Sequence, residues 1–261
     1  MNLNELGGFR LRSAEEFEVV ERESGVERAT VIRHLSTGLE FAYLPGGQFN
    51  MGLSEAEEQK ARMICEDPPI SVSEMRPVRS LTLKPFLIST LPVLNGQLGP
   101  FFAEDEEATV PQRPAFPALA SYDDAVRFAS RHGWRLPTEA EWEFSCRGGA
   151  TDLFIWGDQV PSDDELSKWL SWDLGNPGEV MRNGFGLGGL FFGEWCSDKF
   201  AEDLREGSEA TDSQVIKGGG AYFWPWQDEE WVWCLPAMRM PSSDLVTQES
   251  AFRVVVDLIP K

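Results

Sequence analysis

The stretch that most restricts how this chain can fold is Arg135-Leu136-Pro137-Thr138-Glu139-Ala140-Glu141-Trp142-Glu143-Phe144-Ser145-Cys146-Arg147-Gly148-Gly149. Both ends of a helix are written into it. Thr138 has the hydroxyl of an N-cap, and Glu141 three positions on completes a capping box, in which each side chain accepts from the other residue's free backbone N–H. Pro137 ahead of the cap can pack on Trp142 as a hydrophobic staple. Gly148 supplies the left-handed residue that stops a helix, and Arg147 before it suits the negative end of the dipole. A short helix is therefore predicted over 139–147, with Trp142 in the core.

Similar signals mark other elements. Ser121 as cap, Asp124 at the third helical position, an apolar stripe of Tyr122, Ala125 and Ala129, and a closing Gly133 predict a helix over 121–132. Ser54 with Glu57 marks a polar helix over 54–65, and Ser13 with Glu16 a short charged one over 13–23. Strands are expected over 27–34, 39–44 and 48–51, with a closing core strand over 251–259. A further alternating strand, 81–87, contains Pro85, whose missing N–H favours an edge position. Residues 104–117, with four acids and three prolines, read as an exposed loop. Over 151–217 Gly, Pro, Asp and Trp dominate and regular signals thin out. No linker divides the chain, so residues 1–35 read as an N-terminal extension packed on one domain, residues 36–261.

Composition narrows the function classes. Lysine plus arginine (23) against aspartate plus glutamate (43) leaves a net charge of −20. A surface that acidic repels phosphate backbones and anionic lipid, which argues against nucleic acid and membrane partners. There is no basic, apolar leader and no run of membrane-spanning length, so a cytoplasmic protein is expected. Cys65, Cys146, Cys196 and Cys234 are far apart and read as free, partly buried thiols in a reducing compartment.

The letters of 135–149 resemble the signature of the formylglycine-generating-enzyme (sulfatase-modifying-factor) family. Other segments follow in that family's order: Gly38-Leu39-Glu40-Phe41, Pro45-Gly46-Gly47-Gln48-Phe49-Asn50-Met51-Gly52, Arg76-Pro77-Val78, Lys84-Pro85-Phe86-Leu87-Ile88 and Asn95-Gly96-Gln97. Downstream come Trp156-Gly157-Asp158, Asn183-Gly184-Phe185-Gly186-Leu187, Gly193-Glu194-Trp195-Cys196-Ser197-Asp198, Lys217-Gly218-Gly219 and Ala251-Phe252-Arg253-Val254. The resemblance implies an α+β, C-type-lectin-like fold with two short helices, small mixed sheets and much irregular structure.

The resemblance also says where chemistry belongs. Oxidase members of the family convert a sulfatase cysteine to formylglycine, with copper(I) held between two cysteines that follow a Gly-Gly turn and precede an arginine. Soft thiolates select copper(I). In the matching stretch, 218–239, counting forward from the glycines puts the first cysteine position on Phe223 or Trp224. Counting back from Arg239 puts the pair on Trp226 and Trp231. Cys234 stands alone there. Another branch of the family holds iron with several histidines, whereas this chain has His34 and His132 only. His132 is expected in the last turn of a helix, where the dipole favours a cation. There is no G-x-S-x-G or Walker loop, and Gly184–Gly189 does not follow a βαβ pattern. No catalytic residue is assigned. No cofactor is expected, structural calcium being left open: relatives hold it near the Asn-Gly-Phe-Gly-Leu and Glu-Trp segments, with Glu194 here as its weak ligand.

What remains is an unusual aromatic cluster. Tyr222, Trp224, Trp226, Trp231 and Trp233 flank a polar tip containing Asp228, Glu229 and Glu230. Trp231 and Trp233, alternating around Val232, fit one face of a strand. The acidic tip resists burial. With Arg239 these residues are the expected recognition surface for a protein partner presenting a basic face. The expectation is a non-catalytic binding or scaffold protein of a bacterial multi-protein system. The alternatives are a formylglycine-generating oxidase with an altered metal site and a variable ligand-binding protein of C-type-lectin-like fold.

Overall fold

Antiparallel ladders organise the chain in the computed structural model, which describes residues 6–20, 31–64, 72–102, 113–160, 162, 181–218, 231–244 and 248–261. The first strand, β1 (Phe9–Arg10), pairs with the last, β12 (Ile259–Pro260), and so ties the two ends together. The largest sheet has five strands: β2 (Phe17–Val20), β3 (Val31–His34), β4 (Glu40–Leu44), β7 (Phe86–Ser89) and β11 (Val255–Asp257), in the order β11-β7-β4-β3-β2. A ribbon is made by β5 (Gly47–Met51) and β6 (Arg79–Leu83), and a three-stranded sheet by β8 (Glu194–Ala201), β9 (Ala210–Lys217) and β10 (Arg239–Pro241).

Four helices pack on these sheets among the described residues: α1 (Glu55–Ile64), α2 (Asn95–Phe102), α3 (Tyr122–Arg131) and α4 (Glu139–Arg147). The stripe of α3, Ala125, Phe128 and Ala129, buries against Ile32, Phe41 and Leu87 of the five-stranded sheet. α4 lies between sheets. Its Trp142, Phe144 and Cys146 meet Leu44, Phe86 and Ile88 on one side and Cys196, Phe200 and Val215 on the other. Among the described residues no helix is long and apolar enough to cross a membrane.

At three of the four locally signalled helix starts, expectation and structure coincide. Thr138 and Glu141 close the capping box of α4, and Gly148 ends it at φ 60° in the left-handed region. Ser121 accepts from the Asp124 N–H at the start of α3, and Ser54 and Glu57 form the equivalent box for α1. Other expectations are corrected. Among the described residues the sheet ladders are antiparallel rather than mixed, and there are four helices rather than the two that the resemblance implies.

The charged helix expected over 13–23 is a single 3-10 turn, Ala14–Glu16, followed by β2. Ser13 makes no capping bond there, and β2 instead places Phe17, Val19 and Val20 opposite His34, Ile32 and Val31. Strand pairing of a β-branched, aromatic segment outweighs a weak helix propensity. The strand expected over 81–87 is split at Lys84-Pro85 into β6 of the ribbon and β7, which lies inside the large sheet between β4 and β11. The thinly signalled stretch 151–217 contains β8 and β9, which share with each other the greatest strand length, eight residues. Trp231-Val232-Trp233 belongs to a 3-10 turn, not a strand. Most of the acidic loop 104–117 lies outside the described residues.

The cap and the core ring of α4 give separable effects. Thr138→Ala should cost about 1 kcal/mol through the lost cap. Trp142→Ala, at a ring only 1% exposed, should cost roughly 3–5 kcal/mol. Urea unfolding of both variants measures this, and an unchanged midpoint for Trp142→Ala would remove that ring from the core.

Candidate functional site

One face of α4 is both charged and buried. Glu139, Glu143 and Arg147 are four residues apart, so they stand one above the other on the helix. Glu143 is wholly buried. Its Oε1 accepts from the Gly52 N–H at 2.8 Å and from Arg147 Nη2 at 2.8 Å, and its Oε2 faces Lys217 Nζ at 3.2 Å. Arg147 reaches onward to Glu57 at 2.6 Å and to the Gly52 carbonyl at 2.9 Å. These carboxylates hold the Arg147 guanidinium more firmly protonated than usual, overcoming the effect of burial. Glu139, one turn earlier, receives Arg239 through Nε at 2.7 Å and Nη2 at 3.0 Å, with Lys217 Nζ at 3.7 Å.

Lys217 and Arg239 are direct partners across the β9–β10 ladder. Both therefore arrive side by side on the same helix, and the chain between them leaves from and returns to one ionic anchor. Arg239 has two further tethers, to the carbonyls of Ala201 at 2.6 Å and Glu74 at 3.1 Å, and its cation lies 4.6 Å from the Phe200 ring centre. At the departure point Gly218 has φ +85°. A Cβ there would stand 2.5 Å from the Phe192 carbonyl and 2.9 Å from the Trp142 ring, so only glycine leaves the stem undistorted.

A second buried pair supports the opposite side of Trp142. Arg253 meets Glu194 through Nε at 2.5 Å and Nη2 at 2.6 Å, and the Trp142 indole donates to Glu194 at 2.8 Å. Both Glu194 oxygens thus face donors, a set that suits a guanidinium and does not fit a calcium ion. Asn183, from the other segment the resemblance linked to calcium, caps α4. Its Nδ2 donates to the carbonyls of Ser145 at 2.7 Å and Cys146 at 3.0 Å, and its Oδ1 accepts from the Phe185 and Leu187 N–H groups.

The described thiols lie in the interior. Cys146, Cys196 and Cys234 are buried. Burial pushes Cys146 up to about 12, despite the nearby cations of Lys217 and Arg147. It also raises Cys196 and Cys234, the latter with a smaller contribution from Cys146. Copper(I) needs thiolates at an accessible pair, and the described cysteines do not fit it. Beside the stem, a cavity of about 450 Å³ is bounded by Glu139, Arg239, Thr138, Asp198 and Arg79. Asp198 accepts from the Glu139 N–H at 2.6 Å, yet burial and repulsion by Glu139 and Glu141 raise its affinity for a proton.

Of the residues expected to form the recognition surface, Arg239 is a buried stem residue. Trp233 is half-buried against the cluster of Leu235, Ala237 and Phe191, and Trp231 opens the 3-10 turn. Tyr222, Trp224, Trp226, Asp228, Glu229 and Glu230 lie outside the described residues. Sequence reasoning missed Lys217, Glu139 and Glu143 as a unit, because their partners are 74 to 100 positions away. Lys217→Met should destabilise the fold by on the order of 3–5 kcal/mol, since it leaves Glu143 buried with one cation fewer. Adding Glu143→Gln should recover part of that loss in denaturant unfolding. A Lys217→Met protein of native stability would make the anchor dispensable.

Comparison with known proteins agrees with this frame. A family model described as the sulfatase-modifying factor enzyme 1-like domain matches residues 29–258. The formylglycine-generating enzyme of Mycobacterium tuberculosis is 25% identical over 312 residues, covering 84% of this chain and 98% of that protein. The inactive Cα-formylglycine-generating enzyme 2 of Bos taurus is 26% identical over 168 residues, 44% of this chain and 52% of that protein. In three dimensions PvdO from Pseudomonas aeruginosa superposes with a TM-score of 0.65 at 19% identity, covering 89% of this chain and 100% of that one. That likeness is one of fold. The chain belongs to the FGE-sulfatase family, whose members share the sulfatase-modifying factor enzyme 1-like domain.

Proposed function

We propose that this chain is a non-catalytic member of the family, a binding or scaffold protein that presents the segment between Lys217 and Arg239 to a protein partner with a basic surface. The observation that carries this reading is the distribution of cysteines. No cysteine falls between Gly218 and Trp233, where the resemblance puts the copper pair. Cys234 is buried with its proton affinity raised, and so are the other described thiols. A stem clamped at both ends by ion pairs supports the second half of the proposal. It holds the fold independently of the letters it carries, so aromatic and acidic residues can replace metal ligands without loss of structure. The excess negative charge of the chain favours a basic partner and faster association at low salt.

A second reading has one observation in its favour. The Mycobacterium tuberculosis relative is named a formylglycine-generating enzyme and is matched over 98% of its length. On that reading the chain is an oxidase with an altered metal site. Incubating reduced protein with copper(I) and a Cys-x-Pro-x-Arg peptide separates the two. Unchanged peptide mass is expected, and copper-dependent conversion would overturn the non-catalytic reading. The partner surface is tested by affinity capture from the source organism, followed by calorimetry with Trp226→Ala and with an Asp228→Ser, Glu229→Ser, Glu230→Ser triple variant. Each should weaken binding at least tenfold while leaving the melting temperature in place. Native affinity in both folded variants would move the site elsewhere.

A further inference from the structure

The chain has two histidines in 261 residues, and folding brings them together. His34 ends β3 and His132 follows the last turn of α3. Their ring centres are 5.6 Å apart at an interplanar angle of 75°. His34 is 4% exposed, with Nδ1 2.9 Å from the Thr37 hydroxyl, and it is walled by Phe17 at 5.0 Å and Trp134 at 4.8 Å. His132 stacks on Trp134 at 4.6 Å and touches Phe128. These contacts join three elements: β2 through Phe17, β3 through His34, and the end of α3 through His132. Among the described residues neither imidazole has an ion-pair partner.

A proton on either ring would be a charge in an aromatic box facing a second basic ring. Among the described residues, the charged groups that act on His132 are Arg131, which opposes its protonation, and Glu16, which favours it. A cavity of about 310 Å³, lined by Ser36, Thr37, Phe128, Arg131 and His132, lies beside the pair and gives water a way in. Opening there would solvate a charged ring while leaving the α4 network and the β8–β9 ladder untouched.

We propose that His34 and His132 form an acid-sensitive latch that clamps the β2–β3 end of the large sheet to the end of α3, closed while both rings are neutral and loosened by acid.

The direction follows from linkage. Burial, then His132, lowers His34 from the usual 6.5 to about 4, and burial with Arg131 lowers His132. The unfolded or opened chain therefore binds protons more readily than the closed one. The latch is at full strength above pH 6.5 and is lost as pH falls through the window down to about 4. At pH 5, His34 alone shifts the closed-to-open equilibrium by up to about 30-fold. The proton affinity of Glu57, held low by Arg147 and Ser54, places its own loss below the usual carboxylate range and outside the upper part of this window.

Two imidazole signals in a proton NMR titration of the full chain report the pair directly, and both should titrate below pH 6.5. Amide exchange, corrected for intrinsic rate, should show protection of β2 and β3 falling several-fold to 30-fold between pH 7.5 and 5, with no fall in β8 and β9, where the raised proton affinity of Asp198 favours the folded state in acid. His132→Phe keeps the stack on Trp134 and should make that fall shallower; His34→Gln is the complementary variant. Titration of either ring at or above pH 6.5, equal loss of protection in all strands, or a native pH response in His132→Phe would each overturn the latch. Should His34→Gln fail to fold, the His132→Phe result and the native titration decide the matter.

Discussion

Glu143 has no exposed surface, and its carboxylate is the constraint on which the rest of the structure depends. An ion taken out of water loses several kcal/mol of hydration, so the site holds only if every oxygen is met. The Gly52 N–H, Arg147 and Lys217 meet them, and they come from the loop after β5, from α4 itself and from β9. Satisfying one carboxylate thus fixes a helix against two separate sheets. Replacement by well-packed apolar residues would often be no less stable, so these ions define geometry rather than add net stability. Here only one register sets Lys217 opposite Arg239 and both on the face of α4.

The same ions take over work that regular structure does in other folds. Buried carbonyls need donors, and short ladders joined by irregular segments leave many without a backbone partner. Three buried or partly buried arginines divide their five donors between carboxylates and such carbonyls. Arg253 serves Glu194 and then Ser89 and Gly188; Arg239 serves Glu139 and then Ala201 and Glu74; Arg147 serves Glu143 and Glu57 and then Gly52. A lysine would keep the charge and lose this second function, because a point charge cannot reach two or three carbonyls in a plane. Asn183 does the same without charge at the end of α4.

This division explains what the sequence disclosed. α4 was legible because its cap, capping box and terminal glycine are within ten residues of one another. α1 and α3 were legible for the same reason. The buried charges were not, since Glu139 and Glu143 in a run of acids look like a solvated helix face until Lys217 and Arg239 are brought to them. β8 and β9 escaped notice because only Glu194–Cys196 and Phe200 of the first, and Val215–Lys217 of the second, are buried, so neither shows sustained alternation. The run after Ser13 misled because a local cap signal was weaker than the distant pairing of β2 with β3. Glu194 could be placed in a polar setting by resemblance, but its guanidinium partner, 59 positions downstream, could not.

The candidate site inherits this split between local and distant information. The family match spans residues 29–258, and within it the α4 signature, Asn183, Glu194 and Arg253 belong to the scaffold. Nearly all of them satisfy buried charges or backbone groups, and none needs the chemistry of the segment between Lys217 and Arg239. The ion pairs of Lys217 and Arg239 fix the two points between which the intervening segment runs. Matching such a scaffold therefore identifies the fold with little ambiguity while leaving activity to be argued from the loop, where no cysteine occurs between Gly218 and Trp233.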